Sequence, residues 1–214
     1  MTQRPNFCGL ILAAGFSSRM GSDKALLPWP PKSPSSQTLL AAAIAALEPF
    51  TQSILIVAGR NAGALAPIAA SAGAKLALNP DPGRGQFSSL RIGLQDVLKR
   101  GFEAVIITPV DCPPLSNATL QLLSASYAPA IAAGYWAIAP ENDGKHGHPL
   151  FAARPLIDAF LQAPSSSNAR QVRYAHPNAI QYIPVSDPLV RADMNTPDQY
   201  AALAAQIEKG EKPT

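Results

Sequence analysis

A short segment near the start of the chain combines glycines, hydroxyls and cations in a pattern that suits a polyphosphate ligand. Residues 12–24, here called the first loop, read LAAGFSSRMGSDK and follow an apolar run. Gly15 and Gly21 let the backbone turn through positive φ and expose N–H groups to phosphate oxygens. Arg19 and Lys24 would neutralise the phosphate charge. A surface loop of the same composition without a ligand is the alternative.

The spacing within the first loop excludes two familiar phosphate-binding motifs. A P-loop has four residues between its glycines and then Lys followed by Ser or Thr. Here five residues separate Gly15 from Gly21, and Ala25 follows Lys24. The dinucleotide fingerprint G-x-G-x-x-G is also absent. If the first loop binds a nucleotide, it does so in another way.

Two further segments carry side chains that could help the first loop to bind a nucleotide. NPDPGRGQFSSLRIGL spans residues 79–94, where Gly85 allows close backbone approach and Ser88 and Ser89 place hydroxyls and free N–H groups at a helix start. A turn with a serine cap would look the same. Asp111 ends an apolar run in TPVDCPPL, and a lone carboxylate is costly to bury unless it is paired or binds a metal. A helix-capping role is the alternative for Asp111.

Polar side chains also occur in two later segments. KHGHPLF, residues 145–151, holds His146 and His148, but two histidines alone make a poor metal site. RADMNTPDQY, residues 191–200, holds Asp193 and Asn195, which an extended backbone would point the same way. A purely structural role is the alternative for His148.

The periodicity predicts the elements that position these side chains. Short runs that are apolar at every position predict strands buried on both faces of a sheet, and the longer stretches with helical periodicity between them predict helices. The strands are expected at 7–12, 53–58, 75–78 and 104–108, and the helices at 37–47, 62–72, 88–99 and 116–127, with Ser116 as an N-cap. This alternation indicates a parallel sheet with helices on both faces. Ligands bind beyond the carboxyl ends of such strands, where the first loop and Asp111 lie.

The second half has a more mixed pattern, which would extend the sheet and close over its carboxyl edge. It predicts strands at 131–138, 148–151 and 180–184, helices at 156–161 and 169–174, and a last helix starting at Thr196–Pro197 with Thr as N-cap. The Pro/Ser-rich segment 28–36 is expected to be a mobile surface loop, and residues 208–214 a frayed tail.

The composition limits the class of protein. The chain has 214 residues, 47% of them hydrophobic and 14% charged, with a formal net charge of +3. This is too apolar for disorder, and the scattered basic residues suit a small anionic ligand better than nucleic acid. Apolar runs reach about half of the roughly 20 residues that a membrane span needs, and two cysteines cannot form a disulfide scaffold. We expect one cytoplasmic domain with no membrane contact.

The string L-A-A-G-x-S-S-R-M-G-x-x-K, followed by Leu-Leu-Pro, closely resembles the signature of nucleotidyltransferases with the glycosyltransferase-A-like fold. The resemblance is to their molybdenum-cofactor branch, whose members transfer CMP or GMP from an NTP to molybdopterin. The other four segments fit this family in the same order, so the resemblance covers nearly the whole chain. It implies a three-layer α/β/α fold with a mostly parallel mixed sheet. Residues 5–130 would bind the nucleotide and residues 131–200 the acceptor, within one domain spanning 1–214.

The resemblance also assigns roles to residues. Arg19, Lys24 and Asp111 would be catalytic, and Asp111 would bind Mg²⁺ together with Asp193 or Asn195. Val110 replaces the glycine usually seen before the metal aspartate, and Asn195 stands where many cytidylyl relatives have Asp. The nucleotide would contact Leu12, Ala13, Ala14, Gly15, Ser17, Ser18, Arg19, Lys24, Asn79, Gly85, Ser88, Ser89 and Asp111. The acceptor would contact Gly147, His148, Pro149, Asn168 and Arg170.

The base preference depends on Ala14. Cytidylyl members of the family carry Leu-Ala-Ala-Gly, whereas guanylyl members usually carry Leu-Ala-Gly-Gly, so the resemblance favours CTP over GTP. A recipient molybdenum hydroxylase is a further expected partner. The alternatives are a guanylyltransferase on the same acceptor, a sugar- or alcohol-phosphate nucleotidyltransferase, and a noncatalytic cofactor chaperone for a molybdenum hydroxylase.

Overall fold

The computed structural model describes residues 6–192 and 194–208. Ten strands are present in this part of the chain: β1 (Phe7–Leu12), β2 (Pro28–Trp29), β3 (Gln37–Thr38), β4 (Ser53–Ala58), β5 (Lys75–Leu78), β6 (Ala104–Pro109), β7 (Ala137–Asn142), β8 (Lys145–His146), β9 (Leu150–Ala153) and β10 (Ile180–Pro184). Eight of them form one sheet in the order β10-β7-β9-β6-β1-β4-β5, with β8 paired to β7. The strands predicted at 7–12, 53–58, 75–78 and 180–184 are confirmed.

The sheet is mixed and mostly parallel, as expected. β1 pairs in parallel with both β4 and β6, while β9 runs antiparallel between β6 and β7. The pairing of β1 with β6 continues one residue further, since the Val110 N–H donates to the Leu12 carbonyl at 3.0 Å. The first loop and Asp111 therefore leave the sheet side by side at its carboxyl edge.

Helices cover both faces of the sheet. They are α1 (Leu39–Leu47), α2 (Ala62–Ser71), α3 (Gln86–Lys99), α4 (Asn117–Ala132), α5 (Arg154–Gln162), α6 (Ala169–Ala175) and α7 (Pro197–Glu208). On β1, Phe7 and Ile11 pack in the core under α1, α2 and α4, whereas Cys8 and Leu10 pack in the core under α3 and α5. Burial on both faces is why β1 is apolar throughout instead of alternating.

Several predicted boundaries are wrong. The helix expected from 37 begins at Leu39, because Thr38 caps it and accepts a hydrogen bond from the Ala41 N–H at 3.2 Å. The strand expected at 131–138 is wrong in its first half, where α4 continues to Ala132 and the chain turns at Gly134 with φ +95°. That stretch is rich in alanine, which has the highest helix propensity and is depleted in strands. The strand expected at 148–151 runs from Leu150 to Ala153.

The Pro/Ser-rich segment is more than a surface loop. It connects β2 to β3, and Trp29 is buried in a small cluster with Met194 and Leu203. The Tyr200 hydroxyl on α7 donates to the Pro28 carbonyl at 2.6 Å. The start of the segment is thus packed against the last helix, and Trp29 is a core residue. Most of the predicted frayed tail, residues 209–214, lies outside the described residues.

The capping predictions are confirmed. Ser116 caps α4 by accepting from the Thr119 N–H at 3.3 Å, and Thr196 caps α7 by accepting from the Gln199 N–H at 3.3 Å. Within the described ranges, we find no helix with the length and apolarity that crossing a bilayer demands.

Candidate active site

The first loop folds back on itself at the end of β1. Ser17 adopts φ +49° and Gly21 φ +72°, and the Met20 N–H donates to the Ser17 carbonyl at 2.9 Å. The Ser17 hydroxyl accepts from the Lys24 N–H at 3.2 Å. Asp23 caps a 3-10 turn over Lys24–Leu26. The loop is therefore ordered by its own Ser17 hydroxyl and Asp23 carboxylate.

Asn61, at the carboxyl end of β4, anchors the first loop to the sheet. Its side-chain amide donates to the Ala13 carbonyl at 2.9 Å and to the Asp23 carboxylate at 2.7 Å. Its side-chain oxygen accepts from the Gly59 N–H at 3.0 Å. Asn61 is not among the residues that the sequence predicts for the site. Its position three residues beyond a buried strand, level with the first loop, is the signal that could have identified it.

Lys24 joins three segments that are far apart in the sequence. Its ammonium donates to the Asp111 carboxylate at 2.9 Å and to the Asn195 side-chain oxygen at 2.8 Å. Lys24 is only 8% exposed, which makes this pairing the compensation for burying its charge. Of the residues predicted for catalysis and metal binding, Lys24, Asp111 and Asn195 are thus in direct contact.

The same oxygens are the candidate metal ligands. Among residues 6–192 and 194–208, no group of three or more His, Cys, Asp or Glu is placed to hold a metal ion. Asp111 and Asn195 nevertheless direct two hard oxygens at one cation, the Lys24 ammonium. Mg²⁺ commonly takes one or two protein carboxylates and completes its shell with substrate phosphates and water. The pair fits such an ion in the presence of a polyphosphate. Asp193, the other predicted ligand, lies outside the described residues.

Asn79, Ser88 and Ser89 form a hydrogen-bonded cluster between the end of β5 and the first turn of α3. The Asn79 amide donates to the hydroxyls of Ser88 and Ser89, both at 2.9 Å, and its side-chain oxygen accepts from the Asp81 N–H at 3.0 Å. The expected helix start at Ser88 is wrong, since α3 begins at Gln86 after Gly85, which has φ +88°. The serine hydroxyls therefore brace the turn before α3.

The loop cavity, of about 300 Å³, opens between the first loop, Asp111 and the start of α3. Most of the predicted nucleotide residues line it: Leu12, Ala13, Ala14, Gly15, Ser17, Lys24, Gly85, Ser89 and Asp111. Ser18 instead lines a shallow pocket beside Arg60. Arg19 is exposed, and among the described residues it is not part of the lining of the loop cavity.

A second cavity of about 330 Å³ adjoins the loop cavity, and both are lined by Leu12, Gly85 and Gln86. We call it the arginine cavity, because its lining includes three arginines in addition to predicted acceptor residues. Its polar lining comprises Arg84, Gln86, His148, Ser167, Asn168, Arg170 and Arg173, and its apolar lining includes Phe87, Leu90, Leu150 and Phe160.

Of the other predicted acceptor residues, Gly147 and Pro149 are not part of the arginine cavity's described lining. Gly147 is required for packing, because a Cβ there would collide with the Val190 carbonyl oxygen. Pro149 is buried. These two residues shape the chain on either side of His148.

His148 lines the arginine cavity as a neutral imidazole. Burial and the nearby charge of Arg173 lower the pKa of His148 to about 4, against the opposing effects of a backbone hydrogen bond at Ile107 and the Asp111 charge. Its Nδ1 is buried and has no hydrogen-bond partner in the described part of the chain. His148 can therefore donate a hydrogen bond to a ligand or accept one from it, but it carries no positive charge near neutral pH.

Comparison with known proteins agrees with this geometry. Residues 9–180 match the model of the MobA-like NTP transferase domain. The chain belongs to this family. It is 30% identical over 201 residues to the molybdenum cofactor guanylyltransferase of Rhodobacter capsulatus, which covers 90% of this chain and 92% of that protein. It is 27% identical over 192 residues to the molybdenum cofactor cytidylyltransferase of Escherichia coli K12, at 89% and 92% coverage.

The fold of this MobA-like domain also has solved counterparts. The crystal structure of Rv0371c from Mycobacterium tuberculosis H37Rv superposes with a TM-score of 0.76 at 22% identity, covering 94% of this chain and 98% of that one. A nucleotidyl transferase from Methanothermobacter thermautotroptrophicus superposes with a TM-score of 0.76 at 18% identity, covering 96% of this chain and 99% of that one, so the expected fold is confirmed.

Proposed function

We propose that this MobA-like nucleotidyltransferase transfers CMP from CTP to the terminal phosphate of molybdopterin or the molybdenum cofactor and releases pyrophosphate. The observation that carries the proposal is the shared wall of the two cavities, formed by Leu12, Gly85 and Gln86. A donor in the loop cavity and an acceptor in the arginine cavity would meet at this wall. The names of the relatives supply the acceptor.

The reaction needs no catalytic base. The acceptor is a phosphate monoester, whose second pKa of about 6 leaves it mostly ionised at neutral pH. One of its oxygens bonds to the α-phosphorus of the NTP while the bond from that phosphorus to the α–β bridging oxygen breaks. The bond's electron pair leaves with pyrophosphate. A neutral His148 is consistent with this scheme, because no proton has to be removed from the nucleophile.

The chain's contribution is position and charge, which dominate phosphoryl chemistry. Lys24 lines the loop cavity, so its ammonium can be shared between the Asp111 and Asn195 oxygens and a bound triphosphate. Asp111, with Asn195 or Asp193, would hold Mg²⁺, and a bound Mg²⁺ neutralises charge on phosphate oxygens. Arg19 would assist the departing pyrophosphate from the rim of the first loop.

The proposed nucleotide and acceptor sites correspond only in part to the first and second halves of the chain. Residues 5–130 would supply the nucleotide site, and residues 131–200 most of the acceptor site. The arginine cavity takes Arg84 and Phe87 from the first half and His148 and Arg173 from the second. A cytoplasmic location and a molybdenum hydroxylase as recipient of the product stay predictions.

Pyrophosphate release with each NTP, measured with Mg²⁺ and with or without molybdopterin, tests the proposal. We expect release only when molybdopterin is present, and faster with CTP than with GTP. Faster release with GTP would make the chain a guanylyltransferase. Release with a sugar phosphate but not with molybdopterin would contradict the acceptor, and molybdopterin binding without any release would indicate the noncatalytic chaperone.

A further inference from the structure

The arginine cavity has an unbalanced charge. Arg84, Arg170 and Arg173 contribute to its lining, and no Asp or Glu does so among the described residues. Clefts lined by charge of one sign concentrate ligands of the opposite sign. Phe87 and Phe160 lie on the apolar side of the same cavity. The lining therefore suits a flat heterocycle that carries its own negative charge.

Two of the residues that resemble the family's acceptor turn are engaged in stabilising α6. Asn168 accepts from the Gln171 N–H at 2.9 Å, and its own N–H donates to the Gln171 side chain at 3.0 Å, which is a complete capping box. Arg170 is exposed, donates from Nε to the Tyr174 hydroxyl at 2.9 Å, and lies 5.2 Å from the Tyr174 ring centroid. Both side chains already have partners within α6.

Arg173 differs from Arg170 although it lies one turn further along the same helix. It is half-buried, while Arg84 and Arg170 are exposed. Its guanidinium makes no hydrogen bond or ion pair with any residue in the described ranges, yet its charge acts on His148, whose Nδ1 is buried. A guanidinium offers a planar fork of donors that matches phosphate oxygens. The Arg173 guanidinium is half-buried and has no carboxylate beside it in the described lining of the cavity. A buried charge needs a partner of opposite charge, so this arrangement indicates an anionic ligand.

We propose that Arg173, rather than Arg170, binds the phosphate of the acceptor and positions it at the wall shared with the loop cavity. This inference rests on the proposed function for the identity of the acceptor. The lining itself indicates the coarser class of the ligand, an anion with a flat apolar part.

The variants Arg173→Gln and Arg170→Gln provide a matched test, because they remove the same group one turn apart on α6. Since hydrogen bonds to charged groups are the strong ones, we expect Arg173→Gln to raise the KM for molybdopterin about 10-fold or more, with the KM for CTP within about twofold of wild type. Arg170→Gln removes one of the cavity's three cations and should raise the molybdopterin KM less than Arg173→Gln does, and Arg173→Lys should restore part of the loss. Equal effects of the two Gln variants, or an effect confined to CTP, would overturn the inference.

A measurement on the unmodified protein covers the case in which Arg173→Gln does not fold. Inorganic phosphate is titrated while the arginine Nε–H resonances are followed by NMR. We expect a saturable shift of the Arg173 resonance and little change at Arg170; an unshifted Arg173 resonance contradicts the inference.

The two measurements separate this inference from the proposed function. If molybdopterin is no substrate but phosphate still titrates Arg173, the proposed function fails and the anion site stands. If molybdopterin is a substrate and its KM is unchanged by Arg173→Gln, the function stands and the inference fails.

Discussion

The two adjoining cavities differ in whether the charged side chains that line them are paired with protein groups. In the loop cavity, Lys24 is hydrogen-bonded to Asp111 and Asn195, and Asp23 accepts from Asn61. In the arginine cavity, the cationic lining has no carboxylate within the described part of the chain. Internal pairing keeps the loop cavity in shape without a ligand and lets it accept a polyphosphate that brings its own cation. In the arginine cavity, the positive charge of the described lining is neutralised only when a ligand brings negative charge.

The largest effect should follow from removing the carboxylate of the loop cavity. Asp111→Asn keeps the shape of the side chain but deletes the charge that pairs with Lys24 and would hold Mg²⁺. Charge-stabilising groups of this kind typically contribute about 100-fold or more to kcat, so we expect a loss of that size in pyrophosphate release.

Asp96→Asn is the control for Asp111→Asn, because Asp96 on α3 makes a surface ion pair with Arg100, the residue that follows this helix. Surface pairs contribute little, and its kcat should stay within about twofold of wild type. Near-normal turnover by Asp111→Asn would mean that the loop cavity is not the catalytic one.

The acceptor side should be most sensitive to packing at Gly147. In Gly147→Ala, the new methyl group would collide with the Val190 carbonyl oxygen, so the backbone has to move. Overpacking of this kind costs about 1–3 kcal/mol, which should lower the free energy of unfolding in urea.

Gly63→Ala is the matched control for Gly147→Ala. Gly63 lies in α2, and a Cβ there meets nothing within 4 Å. Alanine is the better helix former, so this variant should be as stable as wild type or slightly more stable. Equal stability of the Gly147→Ala variant and wild type would disprove the steric account.

His148 should add a pH dependence to the stability. Its pKa is about 4 in the folded chain and about 6.5 when unfolded, so between these values the unfolded chain binds more protons. The free energy of unfolding should therefore fall as the pH is lowered from about 6.5 towards 4, with a contribution from His148 of about 1 kcal/mol per pH unit. Below the folded pKa this contribution falls no further.

The comparison of His148→Gln with wild type isolates that contribution. Urea unfolding at pH 8 gives the packing cost of the substitution, since the imidazole is neutral in both states. Between pH 6 and 5 the variant should lose less stability than wild type. Parallel curves over that range would show that His148 is not held neutral by the fold.

The smallest effect should be at the nucleobase. Ala14 is 4% exposed and lines the loop cavity, so its methyl group would narrow the base pocket. Ala14→Gly should shift the ratio of kcat/KM for CTP over GTP towards GTP by about 10-fold, which is the lower end of the discrimination that one carbon in an apolar pocket supplies. Ala13→Gly, one residue earlier, controls for added backbone freedom. An unchanged ratio in Ala14→Gly would place base selection elsewhere.

The sequence identified the parts of the site that are local in the chain. The first loop and Asp111 follow apolar strands directly, so their place at the carboxyl edge could be predicted from pattern alone. Asn61 and Arg173 were missed because an asparagine after a strand and an arginine in a short helix are common features. Asn79 and Asn168 are predicted to contact ligands, and in the structure both also have protein partners. An amide side chain serves either purpose equally well, and only its neighbours decide.

The sequence by itself determined the alternating strands and helices, because burial on both faces of a central strand demands unbroken apolar runs. It also determined the phosphate-binding character of the first loop, which is a property of consecutive residues. Tertiary structure alone decided that Lys24 meets Asp111 and Asn195, which lie 87 and 171 positions further along the chain. It also decided that His148 enters the acceptor side, since β9 inserts antiparallel between β6 and β7. Strand order and direction depend on contacts between distant segments, and no local pattern encodes them.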